Sequence, residues 1–270
     1  MPEKRRRVEG FGEGSMTNRM FRLDGRLALV TGASRGLGFA MAEALAAHGA
    51  RVVLNGRRPA TLEEAVRRLA AQGLEAEALA FDVTDGDATA TAFRRLHEAH
   101  GRLDILVNNA GMQERRPLLA WTDAAFEEVL ATNLTACFRV AREAARLMLP
   151  QRHGRIINTG SVAAILGRAT IHAYTAAKAG LHGLTRSLAV ELGRHGITVN
   201  ALAPGYFATE MNTALVADPA FSAWVEQRTP LGRWAQPEEL GGAVVFLASD
   251  ASAYVTGHVL AVDGGLSTSL

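Results

Sequence analysis

Short apolar runs alternate with longer helical stretches along nearly the whole chain, and that alternation leaves few folds open. Leu27–Val30 precedes a glycine-rich turn and a helical stretch over 40–47. Val52–Leu54 precedes a helix over 61–72, and the run over 78–81 precedes one over 88–100. The run over 105–107 leads through a loop to a long helix from about Thr122 to Leu149. The run over 155–158 is followed by a helix from about Ala173 to Gly193, and the runs over 197–199 and 259–262 close the pattern. Runs this short, apolar on both faces, are buried parallel strands with helices on each side. Their repetition predicts an α/β fold, a doubly wound parallel sheet. In the helix over 61–72, Glu63/Arg67 and Glu64/Arg68 sit four apart and are expected to pair on the solvent side.

Length and charge bound what such a sheet can serve. The chain has 270 residues, 48% of them hydrophobic and 21% charged, which fits one large soluble-type domain and excludes a wholly disordered chain. No stretch reaches the roughly 18–20 apolar residues of a membrane span. Lys and Arg number 29 against 27 Asp and Glu, too even a balance to predict nucleic acid as a partner. The single cysteine, Cys137, cannot form an internal disulfide, and nothing in the sequence suggests that it is reactive, so it reads as buried filler. Residues 1–20, with Lys4–Arg7 as a basic run, read as a flexible tail ahead of a domain over 21–270. The alternatives are a targeting or membrane-surface signal, or a true start at Met16 or Met20. Without an apolar h-region, a cytoplasmic location is expected. The eight histidines show no metal-binding spacing, so no catalytic metal is expected.

Between the first strand and its helix lies Thr31-Gly32-Ala33-Ser34-Arg35-Gly36-Leu37-Gly38. Glycines in that place allow a tight turn, close approach of backbone to phosphate, and close helix–strand packing. The helix start offers unpaired N–H groups to a pyrophosphate. Gly32, Ser34, Arg35, Gly36, Leu37 and Gly38 are therefore the expected dinucleotide contacts. The second strand ends Leu54-Asn55-Gly56-Arg57-Arg58, with no acid to hold a ribose 2′-hydroxyl. Arg57, aided by Arg35, suits a 2′-phosphate instead, which predicts NADP(H). The alternative is that Arg57 and Arg58 are solvated surface charges.

Ser161, Tyr174 and Lys178 follow the fifth strand, and Tyr174 and Lys178 are four apart on a helix, hence on one face. A lysine cation beside a tyrosine favours the phenolate and equips it as a base near neutrality. A serine hydroxyl at a strand end can hold a substrate oxygen. The stretch from Pro204 to Pro237 interrupts the alternation after a strand's C-terminal end, the edge where such sheets bind ligands. Two short helices are expected there, over 212–217 and 219–227.

These motifs, with Asn108-Asn109-Ala110-Gly111 and Pro204-Gly205 between and after them, resemble the short-chain dehydrogenase/reductase family in order and spacing over residues 23–265. The resemblance implies a single Rossmann-type domain with a seven-stranded parallel sheet, assembled as a homotetramer or homodimer. It implies Tyr174 as general acid/base, Lys178 as its activator and a ribose contact, and Ser161 as the group that positions the substrate oxygen. It implies that Asn133 holds a water in the proton relay, where the residue alone reads equally as a satisfied helix amide. Asp82 and Val83 would meet the adenine, Asn109, Ala110 and Gly111 would line the cofactor, and Pro204, Gly205 and Phe207 would pack by the nicotinamide. Asn108 is expected to support strand backbone, and His172 to be a surface or loop residue, with contact to substrate as its alternative.

Four segments resemble the gluconate 5-dehydrogenase branch of that family: 108–117, 166–174, 203–224 and 228–249. The resemblance implies reversible reduction of 5-keto-D-gluconate with NADPH. A sugar acid carries a carboxylate, and Arg115, Arg116 and Arg168 stand near the ligand edge; Arg115 is favoured as the substrate anchor. Alternatively these arginines bridge loops or subunits. The rival readings are a 2-deoxy-D-gluconate 3-dehydrogenase, a 3-oxoacyl-[acyl-carrier-protein] reductase, and an NADP(H)-binding scaffold without turnover.

Overall fold

The computed structural model describes residues 19–268. Its centre is one sheet of seven parallel strands in the order β3-β2-β1-β4-β5-β6-β7. The strands are β1 (Leu27–Val30), β2 (Arg51–Gly56), β3 (Ala76–Ala80), β4 (Ile105–Asn108), β5 (Gly154–Thr159), β6 (Ile197–Pro204) and β7 (Val259–Val262). β6 runs five residues past the expected Val199, because its C-terminal half pairs with β7 through Ala201↔Val259 to Pro204↔Val262. The basic run at Lys4–Arg7 lies outside the described residues.

Successive strand residues face opposite sides, and the core divides accordingly. Ala28, Val30, Val52, Leu54, Ile105 and Val107 join one apolar cluster with Phe39, Leu45, Leu62 and Val244. Those four come from α1 (Gly36–Ala47), α2 (Pro59–Ala70) and α9 (Gly241–Ala248). Leu27, Leu29, Val53, Leu106 and Ile156 join the other cluster with Phe93, Val140, Met148 and Leu192. Those come from α3 (Gly86–His100), α5 (Ala136–Gln151) and α6 (His172–Leu192). The sheet is thus covered on both faces, as its apolar runs require.

Two expectations are corrected. The long helix over 122–149 is α4 (Asp123–Leu130), a π-helical turn over Ala131–Thr135, and α5, joined end to end. The wider turn carries Asn133, and π-turns inside helices recur at functional sites. Neither expected pairing, Glu63 with Arg67 or Glu64 with Arg68, forms: Arg67 takes Glu64 at 2.6 Å, and the Arg68 guanidinium lies 3.9 Å from the Phe39 ring centroid. Tertiary contact with α1 outcompetes the exposed ion pair, which is worth only a few tenths of a kcal/mol.

Among the described residues no helix is long and apolar enough to cross a membrane. No group of three or more His, Cys, Asp or Glu among them is placed to hold a metal ion.

Candidate active site

The strand order reverses between β1 and β4, and the loops leaving their C-terminal ends diverge there to open a cleft. A cavity of about 1260 Å³ occupies this edge, and every residue that the sequence marks for cofactor, catalysis or substrate lines it. Arg116 and His172 do not; Arg116 instead pairs with Glu114.

One end is the glycine turn after β1. Gly32 has φ +62°, and a Cβ there would stand 2.8 Å from Ala110 Cα, so only glycine fits. Thr31 Oγ1 accepts from the amides of Asn109 and Ala110, at 2.9 and 3.0 Å. The Asn109 side chain donates to the carbonyls of Thr31 and Gly32, at 3.0 and 3.2 Å. The loops after β1 and β4 are thereby sewn together, and Asn109 serves the cleft as a strut. Asn108 is buried and lies outside the cavity lining, as expected of a supporting residue, but it donates to Cys137 O on α5 and to the side-chain Oδ1 of Asn158 rather than to strand backbone. α1 starts at Gly36, earlier than the expected residue 40, with no side-chain cap and no acid in its first turn. Its first amides therefore remain open to an anion. The exposed Glu210 carboxylate reaches Gly36 from the opposite wall.

Next to this turn, Asn55 is spent on the carbonyls of Leu79 and Phe81. Asp82 Oδ1 accepts from the amide and hydroxyl of Thr84, at 2.9 and 2.7 Å. Burial works to raise the Asp82 pKa, but the Thr84 bonds and the Arg57 guanidinium outweigh it and hold the carboxyl below its ordinary value. The Arg57 side chain is 79% exposed and only 4.0 Å from that carboxylate, so most of its donors face the cleft and solvent.

The other end carries the side chains that the sequence marks for catalysis. Ser161 ends β5's loop in an extended conformation and is buried; its Oγ accepts from Ala163 N at 3.1 Å, leaving its own O–H to donate. Lys178 is 3% exposed, donates to Thr159 O at 2.6 Å, and lies 5.6 Å from the Tyr174 ring centroid. The shared helical face read from the spacing is realised. Asn133 is fully buried, with both amide donors committed to the carbonyls of Met112 and Val129 at 2.9 Å. Its Oδ1 accepts from Met112 N at 3.3 Å. It clasps the loop after β4 to the π-turn.

One turn beyond Lys178, His182 is buried against Gly160, and its Nε2 has no partner among the described residues. Burial, then the charges of Lys178 and Arg186, push its pKa from 6.5 to about 4. The folded chain keeps this ring neutral while the unfolded chain protonates it below pH 6.5. Stability is therefore lost as pH falls from 6.5 toward 4, by about 3 kcal/mol in all. His182→Leu should flatten that part of the acid limb in denaturant titrations run across the window; an unchanged limb would place the acid sensitivity elsewhere.

Above the reactive end stands a wall that the sequence pattern did not single out residue by residue. Tyr206, Phe221, Trp224 and Trp234 form a cluster with ring centroids 5.4–6.1 Å apart. They come from the segment after β6 and from α8 (Pro219–Arg228), which follows the short α7 (Thr213–Val216). The available signal was that two of the chain's three tryptophans fall in this one interruption.

Comparison with known proteins agrees with this geometry. A family model described as Enoyl-(Acyl carrier protein) reductase matches residues 32–267. Gluconate 5-dehydrogenase of Gluconobacter oxydans (strain 621H) is 49% identical over 251 residues, 93% of this chain and 98% of that protein. The 5-keto-D-gluconate 5-reductase of Escherichia coli (strain K12) is 44% identical, over 92% of this chain and 98% of that protein. A crystal structure of a gluconate 5-dehydrogenase from Burkholderia cenocepacia J2315, in complex with NADP and tartrate, superposes with a TM-score of 0.92 at 44% identity. It covers 94% of this chain and 100% of that one. The glycine turn sewn to the loop after β4, the serine, tyrosine and lysine at one cleft, and these matches over nine-tenths of the chain lead to one assignment: the chain belongs to the short-chain dehydrogenase/reductase family.

Proposed function

We propose that the protein is an NADP(H)-dependent oxidoreductase that interconverts D-gluconate and 5-keto-D-gluconate. The observation that carries this reading is a single cavity with Ser161, Tyr174 and Lys178 beside Arg115 and Arg168, two cations that no carboxylate pairs among the described residues. Relatives named for gluconate and 5-ketogluconate, and a neighbour that holds NADP and a small hydroxy-dicarboxylate, support it.

The residues present fit NADP(H). The uncapped start of α1 and the glycine turn suit the pyrophosphate, and the solvent-facing donors of Arg57 suit a 2′-phosphate. Arg57→Ala should raise KM for NADP+ by about 10-fold or more and leave KM for NAD+ nearly unchanged. Equal effects on the two cofactors would remove Arg57 from the 2′-phosphate site.

When bound, the cofactor supplies or accepts the hydride. The chain's own residues manage the proton and the orientation. Tyr174 Oη gives a proton to the substrate oxygen during reduction and removes it during oxidation. Lys178, held by Thr159 O, stabilises the phenolate by its charge. Ser161 donates to the substrate oxygen and fixes it against Tyr174. Asn133 acts as a positioning residue that holds Met112 and the loop bearing Asn109 in register. Arg115 anchors the substrate carboxylate. Assembly as a homotetramer or homodimer is part of the proposal, supported by the exposed Phe138 and Leu149 on α5 and Val190 on α6.

The decisive experiment follows NADPH loss with 5-ketogluconate, 2-ketogluconate, a deoxy-keto-gluconate and an acetoacetyl thioester. The highest kcat/KM is expected for 5-ketogluconate. A preference for the thioester would overturn the reading in favour of an acyl-chain reductase.

A further inference from the structure

Two guanidiniums converge on the reactive end of the cleft, and they are held in different ways. Arg115 leaves the loop after β4, is exposed at the cavity surface, and has the Gln113 side chain as its hydrogen-bond partner. Arg168 leaves the loop between β5 and α6 and is half-buried. Its Nη1 donates to Tyr206 Oη at 3.2 Å, and its guanidinium carbon lies 4.6 Å from the Phe221 ring centroid and 5.8 Å from that of Tyr206. Tyr206 and Phe221 are themselves packed edge to face at 5.5 Å.

The two arginine loops are stitched to each other. Arg116 N donates to Thr170 O at 2.9 Å. Thr170 has φ +73°, a conformation that a β-branched residue rarely adopts, so the surrounding structure holds this loop against its local preference. The guanidiniums are close enough that, after burial, the charge of Arg168 is the largest influence lowering the Arg115 pKa. Among the described residues neither has a carboxylate partner, although twelve other ion pairs form. Two like charges stitched into proximity, one of them walled by aromatic faces, are a standing cost unless an anion enters between them.

We propose that Arg168, clamped by Tyr206 and Phe221, is a second substrate-binding residue. With Arg115 it forms a two-guanidinium grip on a terminal carboxylate and sets the enzyme's preference for acids over the corresponding uncharged polyols. The proposal rests on the sugar-acid reading and deepens it. Arg115 supplies an exposed cation at the rim. Arg168 supplies a fixed one whose orientation is already paid for by the aromatic wall, and so it sets the substrate's direction in the cleft.

The test uses the full-length protein with NADP+ present and compares wild type, Arg168→Met, Arg168→Lys and Tyr206→Phe. Each is assayed with gluconate and with its uncharged counterpart, D-glucitol. Arg168→Met should raise KM for gluconate roughly 10–100-fold, with a smaller fall in kcat and an unchanged KM for NADP+. The preference for gluconate over glucitol should shrink by the same factor. Arg168→Lys should recover part of the loss, because an ammonium keeps the charge and loses the fork. Tyr206→Phe, which removes one hydroxyl and keeps the ring, should raise KM for gluconate less than Arg168→Met does.

A matching fall in kcat with KM unmoved, or an equal rise in KM for NADP+, would overturn the grip and leave Arg168 a structural residue. A separate arm measures equilibrium binding of gluconate and of succinate to the NADP+ complex by quenching of tryptophan fluorescence. If gluconate is not turned over, yet carboxylates bind and Arg168→Met weakens them, the 5-ketogluconate reading fails and the grip stands. If no carboxylate binds more weakly to Arg168→Met than to wild type, the grip fails whatever the substrate proves to be.

Discussion

Tyr174→Phe lowers kcat about 10²–10⁴-fold, the usual contribution of a positioned general acid/base, while the affinity for NADPH stays within a few-fold of wild type. The substitution deletes one oxygen and keeps a ring of the same shape on α6, so packing against Lys178 survives. Steady-state turnover and a fluorescence titration of NADPH report the two quantities separately. An enzyme that retains most of its turnover without this oxygen would reassign the proton to another group and sink the mechanism proposed above. A scaffold without turnover predicts the opposite starting point, a wild type with no activity for the substitution to remove.

Gly38→Val should disable the cleft by a different route. A Cβ on Gly38 would lie 2.4 Å from Gly32 O and 2.4 Å from Asn109 Nδ2. The first is backbone in the turn, and the second is fixed by its bonds to Thr31 O and Gly32 O, so neither can retreat. Overpacking of this kind costs about 1–3 kcal/mol of stability, and displacing the turn should weaken NADP+ at least about tenfold. The rise in Tm that NADP+ gives the wild type is expected to shrink sharply in the variant. An undiminished rise would show that the turn tolerates the side chain and that Gly38 is not required for cofactor binding.

What was legible in the sequence is what local chemistry dictates. Glycines between a strand and a helix, and a tyrosine four residues from a lysine, carry their geometry within one or two turns of chain. The cleft assembled them as read, and alternating apolar runs fixed the sheet. Less legible was whatever depends on distant partners. Arg168 was visible only as one of several cations, because its partner Tyr206 stands 38 residues later and its second wall comes from Phe221. Asn133 takes its water-holding role only from the family resemblance and by itself reads equally as a satisfied helix amide; its bonds to Met112 follow from the π-turn, for which no propensity rule gives a signal. Arg68 was assigned to Glu64 because the ring of Phe39 belongs to another helix.

The π-turn over Ala131–Thr135 also ties the helix's winding to the shape of the cleft. An α-helix advances about 100° per residue, so a turn driven into α geometry with all five of its residues kept would rotate α4 against α5. Val129, buried beneath the turn, would swing toward solvent, and the clasp on Met112 would open at the same step. A substitution that favours plain α geometry over 131–135 would therefore act on the loop after β4 without touching it.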